Sequence, residues 1–241
     1  MRAVAIIPAR LASTRLPRKP LREIAGQPMI QRVYEATRAA NSLSDVIIAT
    51  DAGEIYELAQ RNGWNVRMTS TSHRSGADRV HEVAQWVDAD VYLNVQGDEP
   101  LTRPEHISAL VELMARPGVD VGTLKTSCPA QDVTNPSAVK VVTDVTGRAL
   151  YFSRATIPHD RDGNAGIRYF KHLGFYGYRK AALDTFCRLA ESSLERSERL
   201  EQLRFLENGI SIYVAETPFD TVGVDTEEDV QRVEGILLGG R

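Results

Sequence analysis

Residues 3–19, AVAIIPARLASTRLPRK, join a continuous apolar run to a loop rich in arginine and lysine. The run does not alternate between apolar and polar residues, which is typical of a strand covered by helices on both faces. Apolar β-branched runs of the same kind recur at 46–49, 91–95 and 121–124. Stretches with helical periodicity lie at 28–39, 53–61, 77–86 and 104–114. This βα repetition predicts an α/β fold with a mostly parallel, Rossmann-like sheet whose ligands bind beyond the carboxyl ends of the strands.

The pattern changes at about residue 138. The segments AVKVVTD, ALYFSR and FKHLGFYGYR predict strands of a smaller β-rich lobe at roughly 138–180. Helices are expected at 180–191 and 197–207, followed by a strand at 210–215 and a closing helix after Asp225. Because no repeat or linker divides the chain, we expect a single domain over 1–241.

Composition narrows the class of partner. The chain has 241 residues and a formal net charge of -3, so it lacks the basic field that holds a nucleic-acid backbone, and a small-molecule partner is favoured. The first apolar stretch is interrupted by Pro8 and Arg10, and is too short for a signal peptide or a membrane span. We therefore expect a cytoplasmic protein that binds no membrane. The two cysteines have no ligand-like spacing, which argues against a disulfide framework or a zinc site.

The loop after the first strand is a candidate polyphosphate site. It contains Arg10, Arg15, Arg18 and Lys19 close to the small residue Ser13. Small residues let backbone N–H groups approach phosphates, while arginine offers a planar fork and lysine a point charge. A solvated basic loop explains four cations equally well, but the position directly after a buried strand favours phosphate binding.

Two acidic segments could hold a metal ion. In VYLNVQGDEP, Asp98 follows a strand and could give Mg²⁺ a hard oxygen ligand, although a simple turn also fits Asp98. In TVGVDTEEDV, Asp225 could be the second ligand. Taken alone, Asp225 or Thr226 is more simply an N-cap, with 227–229 as helix charges on a solvated face.

A third group of polar residues stands in apolar surroundings after residue 150. Arg154 could bind a carboxylate through two N–H groups, and His172, Tyr176 and Gln202 could contact sugar hydroxyls. Each has a simpler structural explanation: a lone histidine in a β-rich lobe is more often structural, and Glu201 could pair with Arg204 along a helix.

These motifs together resemble those of the 3-deoxy-manno-octulosonate cytidylyltransferases, or CMP-Kdo synthetases. The resemblance runs from IIPARLASTRLPRKPL through NVQGDEP, NPSAVKVV, ALYFSRATIP, KHLGFYGYR and LEQLR to GVDTEED. It implies a nucleotide-diphospho-sugar transferase fold with a β-rich lobe that helps to form a homodimer. It also implies transfer of CMP from CTP to the anomeric hydroxyl of 3-deoxy-manno-octulosonate (Kdo), with magnesium as cofactor, for lipopolysaccharide biosynthesis in the cytoplasm.

The resemblance also assigns roles to residues. It implies that the CTP phosphates are held by Arg10, Ser13 and Lys19, with Lys19 next to the developing charge. It implies that the nucleoside meets Arg74, Ser75 and Gly76, and that Asp98 and Asp225 bind Mg²⁺. The sugar-acid contacts that it implies are Gln96, Arg154, His172, Tyr176, Glu201 and Gln202.

Three alternatives stay open at this stage. The same chemistry could act on a nonulosonate or on an 8-amino analogue of Kdo, although LEQLR and ALYFSRATIP favour Kdo. A nucleotide-binding regulator without turnover would keep the basic loop. A nucleic-acid-binding module would show strongly salt-dependent affinity, for which the overall charge offers little support.

Overall fold

The computed structural model describes residues 1–12, 15–163 and 166–239. Its strands are β1 (Ala3–Ala9), β2 (Glu23–Ile24), β3 (Gln27–Pro28), β4 (Asp45–Thr50), β5 (Val66–Met68), β6 (Val91–Asn94), β7 (Val121–Ser127), β8 (Lys140–Thr143), β9 (Ala149–Ser153), β10 (Phe170–Tyr178) and β11 (Tyr213–Glu216). Its helices are α1 (Met29–Arg38), α2 (Gly53–Arg61), α3 (Gly76–Val83), α4 (Pro104–Met114), α5 (Lys180–Arg188), α6 (Ser193–Glu198), α7 (Leu203–Glu207) and α8 (Glu227–Leu237).

The described residues form two compact units. The first comprises Met1–Ser108 and Thr221–Arg241, and the second comprises Ala109–Asp220. The second unit thus extends beyond the 138–180 lobe that the strand pattern predicts. The single domain over 1–241 stays a prediction.

The first unit contains a parallel sheet. Strand β1 pairs in parallel with both β4 and β6, and β4 pairs in parallel with β5. The first five residues of β1, AVAII, are each 0% exposed, which explains their unbroken apolar pattern. The predicted α/β fold with a mostly parallel sheet is confirmed. A short antiparallel β2–β3 hairpin, which the sequence pattern does not predict, precedes α1.

A small apolar cluster anchors the basic loop and the closing helix. Leu16, Ile24 and Met29 are buried together with Val224, Val230 and Val233. Because Leu16 belongs to the loop and Val230 to α8, burial of these side chains holds the two segments of the first unit together. The segment between Val224 and α8 contains Asp225.

The second unit contains the predicted β-rich segment. Strand β7 pairs antiparallel with β10 and parallel with β11, while β8 and β9 form an antiparallel pair next to β10. The prediction of one continuous helix over 197–207 is wrong. Helix α6 ends at Glu198, its C-cap residue Arg199 has a left-handed φ of 54°, and α7 starts only at Leu203.

No helix among the described ranges is both long enough and apolar enough to cross a bilayer.

Candidate active site

A cavity of about 680 Å³ lies at the carboxyl ends of β1 and β6 in the first unit. This volume is within the range of small-molecule sites. Its walls come from the basic loop, the start of α3, the loop after β6 and the segment before α8. The lining residues are Pro8, Ala9, Arg10, Ala12, Arg15, Lys19, Pro20, His73, Ser75, Gly76, Arg79, Gln96, Gly97, Asp98 and Asp225.

Lys19 connects the two acidic segments. Its Nζ donates to Asp98 Oδ2 at 2.6 Å and to Asp225 Oδ1 at 3.0 Å. Arg15 pairs with the other oxygen of Asp225 at 3.0 Å. An ammonium group has three N–H donors, so two bonds to carboxylates leave the third for a further anionic group.

Lys19 stays charged in this environment. Burial alone would lower the pKa of Lys19, but the charges and hydrogen bonds of Asp98 and Asp225 outweigh burial and raise it above its ordinary value. A raised pKa means that the stabilisation from this contact is fully present below the pKa of an unfolded lysine and is lost only as the pH rises through the folded value. The positive charge of Lys19 is therefore present in the cavity at neutral pH.

The acidic residues fit a divalent cation that is shared with a nucleotide. No group of three or more His, Cys, Asp or Glu suited to a metal occurs within 1–12, 15–163 and 166–239. Oxygens of Asp98 and Asp225 nevertheless converge on one point, the ammonium of Lys19. Mg²⁺ in proteins is commonly held by one or two carboxylates, with substrate phosphates and water as the other ligands. Two converging carboxylates beside a basic loop match that donor set.

Asp225 is held in place by the start of α8. Thr226 is the N-cap, and Asp229 completes a capping box with it. The Oδ2 of Asp229 also accepts the backbone N–H of Asp225 at 3.0 Å. Asp229 was expected to be a charge on a solvated face; instead its carboxylate turns back onto the backbone, because the first N–H groups of a helix need acceptors. A T-x-x-D pattern could have indicated this capping role.

We expect Asp229→Ala to destabilise the protein by about 1 kcal/mol, because a capping side chain is lost. It should also lower kcat/KM several-fold, because Asp225 loses its backbone anchor. Thermal unfolding and pyrophosphate release would measure the two effects.

The control for this prediction is Glu228→Ala, which removes an exposed charge from the same turn. Burial opposes ionisation of Asp229, but hydrogen bonds from Asp225 and Thr226 lower its pKa overall. The stability difference between Asp229→Ala and the parent should therefore be present above about pH 4 and vanish as the pH falls through the lowered pKa. Equal effects of the two variants would contradict the anchoring role.

Gly97 allows two loops to approach closely. A Cβ at this position would lie 2.8 Å from the backbone oxygen of Pro8, which is too close for any side chain. The loop after β6 therefore packs directly against the end of β1. This contact, together with the bond from Val224 N to Asp98 O at 2.9 Å, fixes the backbone of Asp98.

The segment before α3 is organised by a second capping box. Ser75 Oγ accepts the backbone N–H of Asp78, and the Asp78 carboxylate accepts the N–H groups of Arg74 and Ser75. A Cβ on Gly76 would be in contact with Pro8 and Asn94, so the helix begins against the cavity wall. Ser75 and Gly76 line the cavity as a result.

Two residues of this region were not anticipated as parts of the site. His73 lines the cavity and contacts the carboxylate of Glu82 through its Nε2. Arg79 is 3% exposed, bonds to Asp51, and donates to Thr69 Oγ1 at 2.7 Å. Both lie within HRSGADR, but their partners lie 9 to 28 residues away in the chain, beyond the spacing of contacts within one helical turn, so no local pattern indicates them.

The structure brings most of the nucleotide and metal candidates together, with one sugar-acid candidate, Gln96, among them. The cavity contains Arg10, Lys19, Ser75, Gly76, Gln96, Asp98 and Asp225. Arg74 is not among its lining residues, and Ser13 lies outside the described residues. The roles that the resemblance assigns to all of these residues stay predictions.

Arg154 in the second unit is fixed by backbone carbonyls. Its Nε donates to Glu198 O at 2.7 Å, and its two terminal nitrogens donate to Pro136 O at 3.0 Å and Arg199 O at 3.4 Å. These bonds use three of the five N–H groups of a guanidinium and leave one on each terminal nitrogen. Two N–H groups on one guanidinium suit a carboxylate.

The other sugar-side candidates are grouped on β10 and before α7. The ring centroids of His172 and Tyr176 are 5.4 Å apart. Burial lowers the pKa of His172 to about 3 and raises that of Tyr176 well above its ordinary value, so both are neutral in the usual working range. The buried Tyr176 hydroxyl and Gln202 Nε2 have no hydrogen-bond partner within 3.5 Å among the described residues, although the Thr123 side chain lies close enough to Tyr176 to oppose the rise in its pKa. Such orphaned groups are uncommon in folded proteins and indicate a missing ligand or water.

Glu201 is exposed, immediately before Gln202. Arg204, the partner that helical spacing would suggest for Glu201, directs its guanidinium to Glu195 with an Nε–Oε2 distance of 2.8 Å. The expected Glu201–Arg204 pairing is therefore not the main contact of Arg204. The predicted sugar contact of Glu201 stays open.

Comparison with known proteins gives a consistent result. The chain matches the family model described as cytidylyltransferase over residues 4–212. It is 68% identical over 237 residues to the 3-deoxy-manno-octulosonate cytidylyltransferase of Koribacter versatilis (strain Ellin345), with 98% of this chain and 90% of the relative covered. The protein of the same name from Acidobacterium capsulatum is 56% identical over 238 residues, with 99% and 97% covered.

A solved structure agrees with these relatives. A CMP:2-keto-3-deoxy-manno-octonic acid synthetase complexed with CTP has a TM-score of 0.94 and 42% identity to this chain, covering 99% of both chains. The fold predicted from the motifs, that of nucleotide-diphospho-sugar transferases, is thereby confirmed. The chain belongs to the 3-deoxy-manno-octulosonate cytidylyltransferase family.

Proposed function

We propose that this chain is a cytidylyltransferase that transfers CMP from CTP to the anomeric hydroxyl of Kdo and releases pyrophosphate. The observation that supports this most is the convergence of Lys19, Asp98 and Asp225 in a cavity beside the basic loop. A cation and two carboxylates at one point suit a metal-bound polyphosphate. The relatives named for this reaction supply the identity of both substrates.

The first unit would hold CTP. Arg10, Arg15 and Lys19 would neutralise the phosphates, since arginine and lysine side chains are well suited to phosphate oxygens. Asp98 and Asp225 would hold Mg²⁺, which supplies Lewis-acid polarisation of phosphoryl oxygens when bound. Ser75 and Gly76, at the start of α3, would meet the nucleoside.

The second unit would bind the sugar acid. The two remaining N–H groups of Arg154 would bind its carboxylate. Tyr176 and Gln202 would use their orphaned polar atoms on sugar hydroxyls, because a bound hydroxyl removes the cost of leaving those atoms unpaired. A neutral His172 would contribute a hydrogen bond rather than a charge. These contacts favour a polyhydroxylated acid as the acceptor.

In the reaction, the anomeric oxygen forms a bond to the α-phosphorus while the bond from that phosphorus to the bridging oxygen breaks. The electron pair leaves with pyrophosphate, and the hydroxyl proton is released. Lys19 and Arg10 would stabilise the charge that develops on the leaving group, and preorganised cations of this kind are a major source of rate enhancement. Arg154 would orient the acceptor by holding its carboxylate.

Pyrophosphate release from the purified protein with Mg²⁺ tests the proposal. Each of CTP, UTP, ATP and GTP is paired with Kdo, its 8-amino analogue and N-acetylneuraminate. We expect release with CTP and Kdo alone. Release with another acid only would show that the acceptor is wrong, and silence with every pair despite CTP binding would favour a regulator.

The setting of the reaction belongs to the same proposal. We expect a cytoplasmic homodimer whose product is used for lipopolysaccharide biosynthesis, because CTP is a cytoplasmic metabolite and a CMP-sugar is an activated donor. Size-exclusion chromatography with light scattering would show about twice the chain mass of 26.7 kDa for the dimer and a single mass for a monomer.

A further inference from the structure

The two aromatic side chains predicted to contact the sugar are adjacent because β10 contains a bulge. Leu173 pairs with Leu124 and Tyr176 pairs with Thr123, so two residues of β10 are inserted opposite a single step of β7. In a regular strand, residues four apart are separated by about 13 Å along the strand. The ring centroids of His172 and Tyr176 are only 5.4 Å apart. The bulge therefore re-aims one side chain towards the other, as bulges beside functional sites do.

Thr123 fills the bulge from the neighbouring strand. It is 0% exposed, and its Oγ1 lies 2.7 Å from Phe175 O and 3.3 Å from Leu173 O. A carbonyl oxygen cannot donate, so the one hydroxyl proton of Thr123 goes to a carbonyl, and the shorter contact identifies Phe175 O. This bond satisfies a backbone acceptor that the bulge removes from the ladder.

The same hydroxyl fixes the ring of His172. Thr123 Oγ1 is 3.0 Å from His172 Nε2. Because the proton of Thr123 is donated to Phe175 O, this contact needs a proton on Nε2. A neutral imidazole carries one N–H, so Nδ1 is left as an acceptor.

We propose that Thr123 is a positioning residue for sugar recognition, which holds the β10 bulge and fixes His172 with Nε2 protonated and Nδ1 free to accept a substrate hydroxyl. This inference rests on the proposed function for its substrate, but the tautomer that it assigns is a property of the protein alone. Thr123 itself need not touch the substrate.

Nitrogen-15 NMR of the imidazole rings tests the tautomer without turnover. Signals of His172 are assigned by their loss in His172→Asn. Between pH 6 and pH 9 we expect a protonated Nε2 and an unprotonated Nδ1 in the parent and in Thr123→Ser, which keeps the hydroxyl. Thr123→Val keeps the shape of the side chain but loses the hydroxyl. In this variant the chemical shifts of the two ring nitrogens of His172 should move towards each other, because the two tautomers interconvert. A protonated Nδ1 in the parent, or no change in Thr123→Val, would overturn the proposal.

Kinetics test the consequence for the substrate. Losing an oriented hydrogen bond should raise KM for Kdo about tenfold in Thr123→Val. The KM for CTP, whose predicted contacts lie in the first unit, should stay within about twofold, and Thr123→Ser should stay within about threefold for both substrates. An equal rise of both KM values would indicate general disruption and would contradict the positioning role.

The proposed function and the positioning role of Thr123 can fail separately. If the parent releases no pyrophosphate from CTP and Kdo, the proposed function is wrong, while the NMR result still decides the tautomer. If the parent is active and Thr123→Val keeps its KM for Kdo, only the positioning role is wrong. If Thr123→Val does not fold, the parent spectrum alone is decisive, because a protonated Nδ1 is incompatible with the proposal.

Discussion

Asp98→Asn is expected to lower kcat by about a thousandfold or more, because it removes a charged oxygen ligand while preserving side-chain shape. An asparagine oxygen can still accept from Lys19, so the fold of the cavity should survive. The Mg²⁺ concentration needed for half-maximal activity should rise, because a neutral amide attracts the cation far less than a carboxylate does. Pyrophosphate release over a Mg²⁺ titration, and Mn²⁺ binding by electron paramagnetic resonance with CTP present, would measure the two effects.

Two further variants make this result specific. Asp225→Asn should behave like Asp98→Asn, because both carboxylates converge on the same point. Glu57→Gln removes one negative charge from an exposed ion pair on α2, at 3.9 Å from Arg61, and should leave kcat unchanged. Wild-type turnover with a normal Mg²⁺ requirement in Asp98→Asn would show that the metal assignment is wrong.

The fold was largely predictable because its main signal is local. The five apolar residues that begin β1 are fully buried, and that environment is visible in the sequence as an unbroken apolar run. The break between α6 and α7 was not predictable. Arg154, which directly follows β9, donates to the carbonyls of Glu198 and Arg199 at the end of α6, and these carbonyls lie 44 and 45 residues later in the chain. Helical periodicity over 197–207 contains no trace of this contact.

The candidate site was predictable in its residue types rather than in its contacts. Asp98 was predicted as a metal ligand from its position at the end of a strand. Asp225 taken alone was interpreted as a helix cap, and only the resemblance predicted it to be a metal ligand. Lys19 was expected at phosphates, whereas the structure shows it between two carboxylates that are 79 and 206 residues away. Thr123 was missed altogether, because a threonine in a buried strand has no feature that separates it from ordinary core.

Lys19→Met is expected to lower kcat by about a hundredfold to a thousandfold, the usual effect of removing one preorganised group that stabilises transition-state charge. Lys19→Arg should recover only part of this, because a planar guanidinium cannot place a compact charge between two carboxylates in the same way. Lys180→Met serves as the matched control, since it removes a lysine that pairs with Asp184 on α5 at 3.9 Å. Pyrophosphate release under saturating CTP and Kdo would measure kcat for each variant.

The same variant should have an opposite effect on metal binding in the absence of CTP. Lys19 occupies oxygens of Asp98 and Asp225, so its ammonium competes with a divalent cation for the same ligands. Without Lys19, Asp98 loses its lysine partner and Asp225 keeps only its pair with the exposed Arg15, so the negative charge at the two carboxylates is less neutralised. A ligand that binds only the folded state raises the melting temperature of the protein. Millimolar Mg²⁺ should therefore raise the Tm of Lys19→Met more than that of the parent, and the difference should disappear when Asp98→Asn is added. An equal Mg²⁺ shift in the parent and Lys19→Met would mean that the metal does not share these oxygens with Lys19, even if turnover is lost. Lower activity together with stronger metal binding would identify Lys19 as the cation that keeps the acidic pair ready for a metal-bound nucleotide.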